Sequence, residues 1–184
     1  AYCKRVYQPT RGEQMPLMVR QAWKTMITGR PGPVVLDVPF DIFKETAASE
    51  APNPDLWSAN ISSRCGADPE GVNKAVDMLL AAKKPAIVVG QGVRYGGATM
   101  ELRALSEKLQ IPVAASASGL GAIPVDHPLS LGLVQRGGTY QANHACRQAD
   151  VLMALGVRFD DRTSSSWIPG YSFTIPPTKL IHVD

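Results

Sequence analysis

Apolar residues recur along the chain with two periods, and the alternation of these periods predicts alternating helices and strands. The clearest helical pattern follows residue 68, where apolar residues fall at positions i, i+3, i+4, i+7 and i+8 of one helix face: Val72, Ala75, Val76, Leu79 and Leu80. Asp68 is a favourable N-cap, and Pro69 fits the first helical position. A helix is therefore predicted to begin at Pro69.

Short apolar runs mark the predicted strands and separate three further helices, at 13–28, 99–109 and 140–148. The strands are "VVLDVPFD", predicted to be buried and closed by Pro39, and then "AIVVGQG", "IPVAAS", "VLMALG" and "KLIHVD". Residues 117–139 are predicted to form a loop. Helices between short apolar strands imply right-handed crossovers. The predicted fold class is therefore α/β, a doubly wound, mostly parallel sheet with helices on both faces.

A stretch rich in Ala, Ser, Asn and Pro, without a sustained period, divides the chain in two. We predict a helix–strand remnant of another α/β domain at 1–45, an interdomain linker at 46–67, and the main α/β domain at 68–184. The chain starts without a methionine and stops where an apolar run has only just reached a polar residue. We therefore expect it to be an excised piece of a longer polypeptide.

The composition narrows the class of protein and of partner. With 45% hydrophobic and 19% charged residues, the 184-residue chain is typical of a globular protein with one full domain and part of another. Its net charge of +3 comes without a run of like charges, so neither a nucleic-acid nor a membrane partner is expected, while a small anion stays compatible. Cys3, Cys65 and Cys146 lack the spacing of a disulfide framework or a zinc site, which favours the cytoplasm.

Three predicted strands end in small residues, at Gly90 and Gly92, at Ser116, and at Gly156. In parallel sheets, ligands bind in the crevice beyond the carboxyl ends of the strands. Glycine lets a backbone approach a phosphate closely and offers an unobstructed amide hydrogen, so these ends favour a nucleotide site; alternatively, each glycine only ends its strand with a turn. The dinucleotide fingerprint GxGxxG is absent, because its third glycine position holds Tyr95.

Four charges follow the strand "VLMALG" within five residues: Arg158, Asp160, Asp161 and Arg162. Adjacent carboxylates in an extended loop diverge, which argues against a metal site and against paired acid/base catalysis. An arginine just past a strand end can instead present its guanidinium to a diphosphate, while a neighbouring carboxylate orients the arginine or accepts a hydroxyl group. A self-neutralising charged loop remains the alternative. The following "SSSW" is predicted to be a flexible loop.

The string "GRPGPVVLDVPFD" strongly resembles the end of the N-terminal, pyrimidine-binding domain of thiamine-diphosphate (ThDP) enzymes of the acetolactate synthase type. Further strings resemble the central domain of that family in order and spacing: "KKPAIVVGQGV", "ELRALSEKLQIPVAAS", "GLGAIPVDHPLSLG", "GTYQAN", "ADVLMALGVRFDDR" and "KLIHVD". The resemblance covers essentially all 184 residues, and "GVRFDDR" with "GRPGPV" is specific to the acetolactate synthase-like branch.

The resemblance implies a parent protein that decarboxylates a 2-oxo acid on ThDP and Mg²⁺ and transfers the two-carbon unit, as a homodimer or homotetramer. It also implies a six-stranded central domain that holds FAD. The cofactor contacts carried over by position are Gly90, Gln91, Gly92, Ser116, Ala117, Gly156, Val157, Arg158, Asp160, Arg162 and Asp184. The catalytic glutamate and the Mg²⁺-binding motif of the family lie outside this chain, so no catalytic and no metal-binding residue is expected here.

Two departures from the family pattern leave the nucleotide open. Flavin-containing members have a Met-His pair where this chain has Arg136 and Gly137, and Arg64 aligns only beside the linker arginine that helps to hold the flavin. FAD, ADP or an empty site therefore stay as alternatives for the central domain. A related ThDP activity, of the benzoylformate, oxalyl or sulfoacetaldehyde type, and a free-standing nucleotide-binding module are the alternatives for the whole protein.

Overall fold

Two units make up the chain, Ala1–Gly66 and Ala67–Asp184, in the computed structural model, which describes residues 2–46, 53 and 66–184. The predicted linker at 46–67 lies almost entirely outside the described residues, as do Arg64 and Cys65. Each unit is described by itself below.

The first unit is a small parallel β-α-β arrangement. Strand β1 (Arg5–Tyr7) pairs with β2 (Val34–Leu36), and helix α1 (Met15–Ile27) connects them, followed by a short helix α2 (Phe40–Lys44). The predicted helix at 13–28 is confirmed, with its first turn in 3-10 form.

The predicted burial of "VVLDVPFD" is wrong. Regular strand pairing stops at Leu36, and Val35 is 44% exposed. On α1, the apolar face keeps Leu17 and Trp23 exposed. The physical reason is the size of the unit, since one helix and two short strands cannot cover both faces of a sheet.

The second unit carries the main sheet. Its elements, in chain order, are α3 (Pro69–Ala81), β3 (Pro85–Val89), α4 (Gln91–Tyr95), α5 (Thr99–Leu109), β4 (Val113–Ala115), β5 (Ser130–Leu133), α6 (Tyr140–Gln148), β6 (Val151–Leu155) and β7 (Lys179–Val183). The five strands are all parallel, in the order β5-β4-β3-β6-β7. From β3 the chain adds β4 and then β5 on one side of the sheet. It then crosses to the other side of β3 and adds β6 and β7. The strands β3 and β6 are therefore neighbours in the sheet although they are not consecutive in the chain.

Alternate residues of the central strand serve two separate cores. On β3, Ile87 and Val89 pack with residues of α3, α5 and β4, whereas Ala86 and Val88 pack with residues of α6 and β6. Both sets are buried because each face of the sheet is covered by helix, which is why the strand reads as a continuous apolar run. The predicted fold class, a parallel α/β sheet with helices on both faces, is confirmed.

Helix α3 begins as predicted. The carboxylate of Asp68 accepts a hydrogen bond from the backbone N–H of Gly71 at 3.0 Å, and Pro69 occupies the first helical turn. Its buried stripe is narrower than predicted, however. Leu79 is buried, whereas Val72 and Leu80 are 47% and 66% exposed.

Two elements of the second unit differ from the sequence prediction. Strand β5 lies within residues 117–139, which were expected to be a loop, and α4 follows directly on Gly90. Strand β5 has two apolar and two small residues, all half-buried, and it pairs with β4 through a register shift. Its residues alternate as Ser-Leu-Gly-Leu, but four residues that include a glycine give too short a pattern to separate a strand from a loop.

The helices of the described residues include none that is both long enough and apolar enough to cross a membrane.

Cys146 on α6 lies fully inside the core on the α6 side of the sheet, and burial raises the pKa of its thiol to about 12. An unfolded cysteine ionises at about 8.5. Between these values the folded chain holds a proton that the unfolded chain has lost. We therefore expect the free energy of unfolding to fall as the pH rises above about 8.5, by up to about 1.4 kcal/mol per pH unit from this group.

Urea denaturation at several pH values between about 7.5 and 9.5 measures this dependence. The variant Cys146→Ala, which has no thiol, should show a shallower fall than the wild-type chain. Equal pH dependence in the two proteins would contradict the assignment.

Candidate ligand-binding site

The carboxyl ends of four neighbouring strands are tied together by backbone hydrogen bonds. The amide of Ser116 donates to Val89 O at 2.9 Å, that of Gly90 to Leu155 O at 2.9 Å, and that of Gly156 to Val183 O at 2.7 Å. The structure therefore brings together the ends of β4, β3, β6 and β7, where the predicted ligand residues lie. This is the crevice edge of the sheet, at the point where its winding reverses.

Glycine is required here because two backbones touch. A Cβ on Gly156 would lie 2.5 Å from Gly92 Cα, and a Cβ on Gly90 would overlap the carbonyl oxygen of Gly156. Gly156 also has a φ of +58°, in the left-handed region that disfavours side chains. The contact between β3 and β6 thus accounts for all three glycines.

The amide hydrogens of these glycines are already used. Besides the bonds from Gly90 and Gly156, the amide of Gly92 donates to Gly156 O at 3.2 Å. The sequence-based expectation that free glycine amides cradle a phosphate therefore has no support at these positions. Two of the glycines instead shape a cavity, because Gly92 and Gly156 form part of its wall.

This cavity, of about 340 Å³, opens beside the ends of β6 and β7. Most of its wall is apolar and is supplied by α5, β6 and β7, including Leu102, Leu105 and Leu155. Its ionisable residues are Glu101 on α5 and Asp184 after β7. An apolar cleft with a few polar groups at its edge is the usual form of a small-molecule site.

The charged loop that follows β6 is internally organised. The carboxylate of Asp160 accepts a hydrogen bond from the amide of Thr163 at 2.8 Å, while the carbonyl of Asp160 accepts one from the amide of Ser164 at 2.9 Å. The bond from the Thr163 amide is the main cause that holds the pKa of Asp160 below its usual value, and the nearby charge of Arg158 adds to it. Asp160 therefore shapes the turn, while Arg158 and Arg162 are exposed.

The "SSSW" segment is not the flexible loop that the sequence suggested. Ser164 and Ser165 are 2% and 0% exposed, and the Ser165 hydroxyl lies 2.7 Å from that of Ser172. Residues Ser165–Trp167 all have φ between +53° and +55°, a left-handed turn that non-glycine residues adopt at a cost of about 1–2 kcal/mol each. Buried hydrogen bonding holds this turn in place, and Trp167 packs near Phe159 with ring centroids 5.9 Å apart.

The remaining predicted contact residues occupy different surroundings. The Gln91 side chain donates to the Tyr95 hydroxyl at 2.6 Å, and Ala117 is the exposed first residue of a 3-10 turn after β4. Val157 is buried, and its carbonyl lies 2.7 Å from Nε2 of His182 on β7. That ring nitrogen must donate, because a carbonyl oxygen only accepts. The bond ties the start of the charged loop to the edge strand.

The wall that α5 contributes was missed by the sequence reasoning. Leu102 and Leu105 carried only the signal of an ordinary amphipathic helix, and Glu101 that of an acidic residue in a first turn.

Among the described residues, no group of three or more His, Cys, Asp or Glu side chains could hold a metal ion. The side chains described here therefore do not fit an Mg²⁺ site.

A parallel sheet of this strand order, with its cleft at the winding reversal, defines the class of doubly wound α/β domains. Comparison with family models narrows the class. Residues 72–184 match the model described as thiamine pyrophosphate enzyme, central domain. The chain belongs to the thiamine pyrophosphate, or ThDP, enzyme family.

Curated relatives agree with this assignment and with the resemblance noted in the sequence. The chain is 40% identical to an acetolactate synthase large subunit of Buchnera aphidicola over 95% of its length, and 37% identical to the acetolactate synthase isozyme 3 large subunit of Escherichia coli over 94%. It is 36% identical to a probable acetolactate synthase large subunit of Methanocaldococcus jannaschii over 98%. The matches cover only 29–30% of the length of these relatives.

Replacing Gly156 tests the backbone contact. Gly156→Ala combines a strained φ with overlap on Gly92, so we expect the free energy of unfolding to fall by about 2–5 kcal/mol. The matched control is Gly170→Ala, because Gly170 has a φ of +70° and nothing within 4 Å of its added Cβ. It should cost about 1–2 kcal/mol. Urea denaturation measures both free energies of unfolding. An equal decrease in the two variants would show that the backbone contact at Gly156 does not contribute to stability.

Proposed function

We propose that the chain is part of a ThDP-dependent 2-oxo-acid decarboxylase and carboligase of the acetolactate synthase type. The similarity to acetolactate synthase large subunits over nearly the whole chain supports this. In this proposal residues 1–45 end a pyrimidine-binding domain, 46–67 form a linker, and 68–184 belong to the central domain. ThDP and Mg²⁺ bind outside the chain. The parent is a cytoplasmic homodimer or homotetramer without nucleic-acid or membrane partners.

In the same proposal the central domain binds a nucleotide that contains an ADP moiety, as free ADP or as half of FAD. The proposal is supported by two chemically different surfaces at the carboxyl ends of the strands, an apolar cavity and a loop with exposed arginines. The 340 Å³ apolar cavity suits a flat ring, and Asp184 at its wall can accept hydrogen bonds from sugar hydroxyls. Arg158, directly after the turn that follows β6, can bind a diphosphate through paired N–H donors.

The roles of the individual residues follow from their surroundings. Arg158 and Arg162 act as anion contacts because their guanidinium groups are exposed on an ordered loop. Asp160 acts through the loop, since its carboxylate is bonded to the Thr163 amide. Gly92 and Gly156 allow the ligand to lie close to the backbone at the cavity wall. A nucleotide bound in this way would have a positioning and stabilising role rather than a catalytic one.

Calorimetric titration of the chain with ADP and with FAD tests the nucleotide site. Arg158→Gln removes a charge-assisted contact, so ADP binding should weaken by about tenfold or more. The control is Arg103→Gln on α5, which removes the same charge from an exposed arginine that pairs with Glu107. Tighter binding of FAD than of ADP would indicate a flavin protein. Absence of saturable binding of either ligand, or an equal effect of both variants, would contradict the proposal.

Catalysis is expected only in the longer parent protein. With pyruvate, ThDP and Mg²⁺ supplied, the 184-residue chain should give no carbon dioxide release and no acetolactate above the blank, because the family resemblance implies that the catalytic glutamate and the Mg²⁺-binding motif lie outside it. The full-length parent should give both products in the same assay. Turnover by the isolated chain would overturn this division of roles.

A further inference from the structure

A second concave surface lies at the opposite edge of the sheet from the candidate site. It has a volume of about 440 Å³ and is lined where α3 leads into β3, where α5 leads into β4, and by α6. Its lining side chains include Lys83, Lys84, His144 and Gln148, and they include no carboxylate among the described residues. We call this surface the basic hollow. From its donor-rich lining we propose that the basic hollow binds a phosphate group, free or carried by a small metabolite.

The two lysines have a fixed backbone. The carboxylate of Asp150 accepts hydrogen bonds from the amide of Lys83 at 2.7 Å and from the amide of Lys84 at 2.9 Å. Asp150 also pairs through its own amide with Lys84 O, at 3.2 Å. Both carboxylate oxygens of Asp150 are therefore bonded to main-chain amides rather than to the lysine ammonium groups. Both lysine side chains are exposed and line the basic hollow, while their main chain is held by Asp150.

His144 adds a donor of defined orientation. Its ring stacks on Tyr140 with centroids 5.3 Å apart, and Nη2 of Arg147 lies 3.1 Å from its Nδ1. A guanidinium only donates hydrogen bonds, so Nδ1 must accept. The neutral ring then carries its proton on Nε2, which makes that nitrogen a donor. The neighbouring Arg147 adds positive charge on the same helix.

The ion pairs of the described residues leave both lysines available. Those pairs join Arg103 and His127 to Glu107, and neither Lys83 nor Lys84 takes part in them. Two ammonium groups and an imidazole donor around one hollow match a ligand with several acceptor oxygens and a double negative charge. A phosphate dianion has this chemistry, whereas a single carboxylate would leave donors unused.

The basic hollow is independent of the proposed nucleotide site. In a parallel sheet the amino ends and carboxyl ends of the strands lie at opposite edges. Pro85, which lines the hollow, is the first residue of β3, whereas Gly90 follows its last. Binding at one site can thus be distinguished from binding at the other by its position on the chain.

Backbone amide NMR of the 184-residue chain provides the test, with inorganic phosphate titrated against chloride at constant ionic strength. We expect saturable shifts at residues 83, 84, 144 and 145. The double variant Lys83→Gln/Lys84→Gln should weaken phosphate binding by about tenfold or more. Lys83→Arg/Lys84→Arg should retain it. Since the lysine side chains are exposed and only their amides are bonded to Asp150, all variants should unfold as the wild type does.

The matched control is Lys24→Gln/Lys74→Gln, which removes the same two charges from exposed positions on α1 and α3. It should leave phosphate binding unchanged. A second titration with glycerol phosphate distinguishes a free phosphate from one carried by a metabolite, the tighter ligand being the better match. The proposal is overturned if the shifts do not saturate, if they map only to the carboxyl edge around Gly90 and Gly156, or if the control loses binding equally.

Discussion

The backbones of β3 and β6 touch just beyond their last residues, through Gly90, Gly92 and Gly156. The sheet reverses its winding between these two strands, and no side chain separates them at this point. The same contact sets one wall of the 340 Å³ cavity and fixes where the charged loop leaves the sheet. Close-packed backbones cannot shift without losing their hydrogen bonds. The positions of the cavity wall and of the charged loop therefore depend on this contact.

The sequence predicted those parts of the fold whose burial pattern is regular. The helices at 99–109 and 140–148 were predicted with the bounds that the structure has, since each is long enough to show a helical period and buries one face. Strand β5 was missed because its alternation spans only four residues and includes a glycine, and α4 was missed because five residues are too few to show a helical period. The regularity of burial and the length of the element together decided which elements the sequence could predict.

At the candidate site, the position of the glycines was predictable but their role was not. Strand ends are visible in a sequence, whereas the partner of an amide is a tertiary fact. The amides of Gly90 and Gly92 bond to the end of β6, some 65 residues further along the chain. The buried hydroxyls of Ser165 and Ser172 gave a similar error, because serine in a polar run resembles a flexible loop until its partners are known.

The surroundings of the charged loop separate what holds its shape from what can bind. Its turn depends on Asp160, on buried serines and on main-chain bonds, whereas Arg158 and Arg162 stay exposed. A loop whose main chain is already held by hydrogen bonds has less conformational entropy to lose if an anion binds to its exposed guanidinium groups. Substitution of the exposed arginines could therefore alter the ligand without disturbing the fold. The loop thus separates residues that hold its shape from residues that are exposed to a ligand, while the glycine contact fixes where the loop begins.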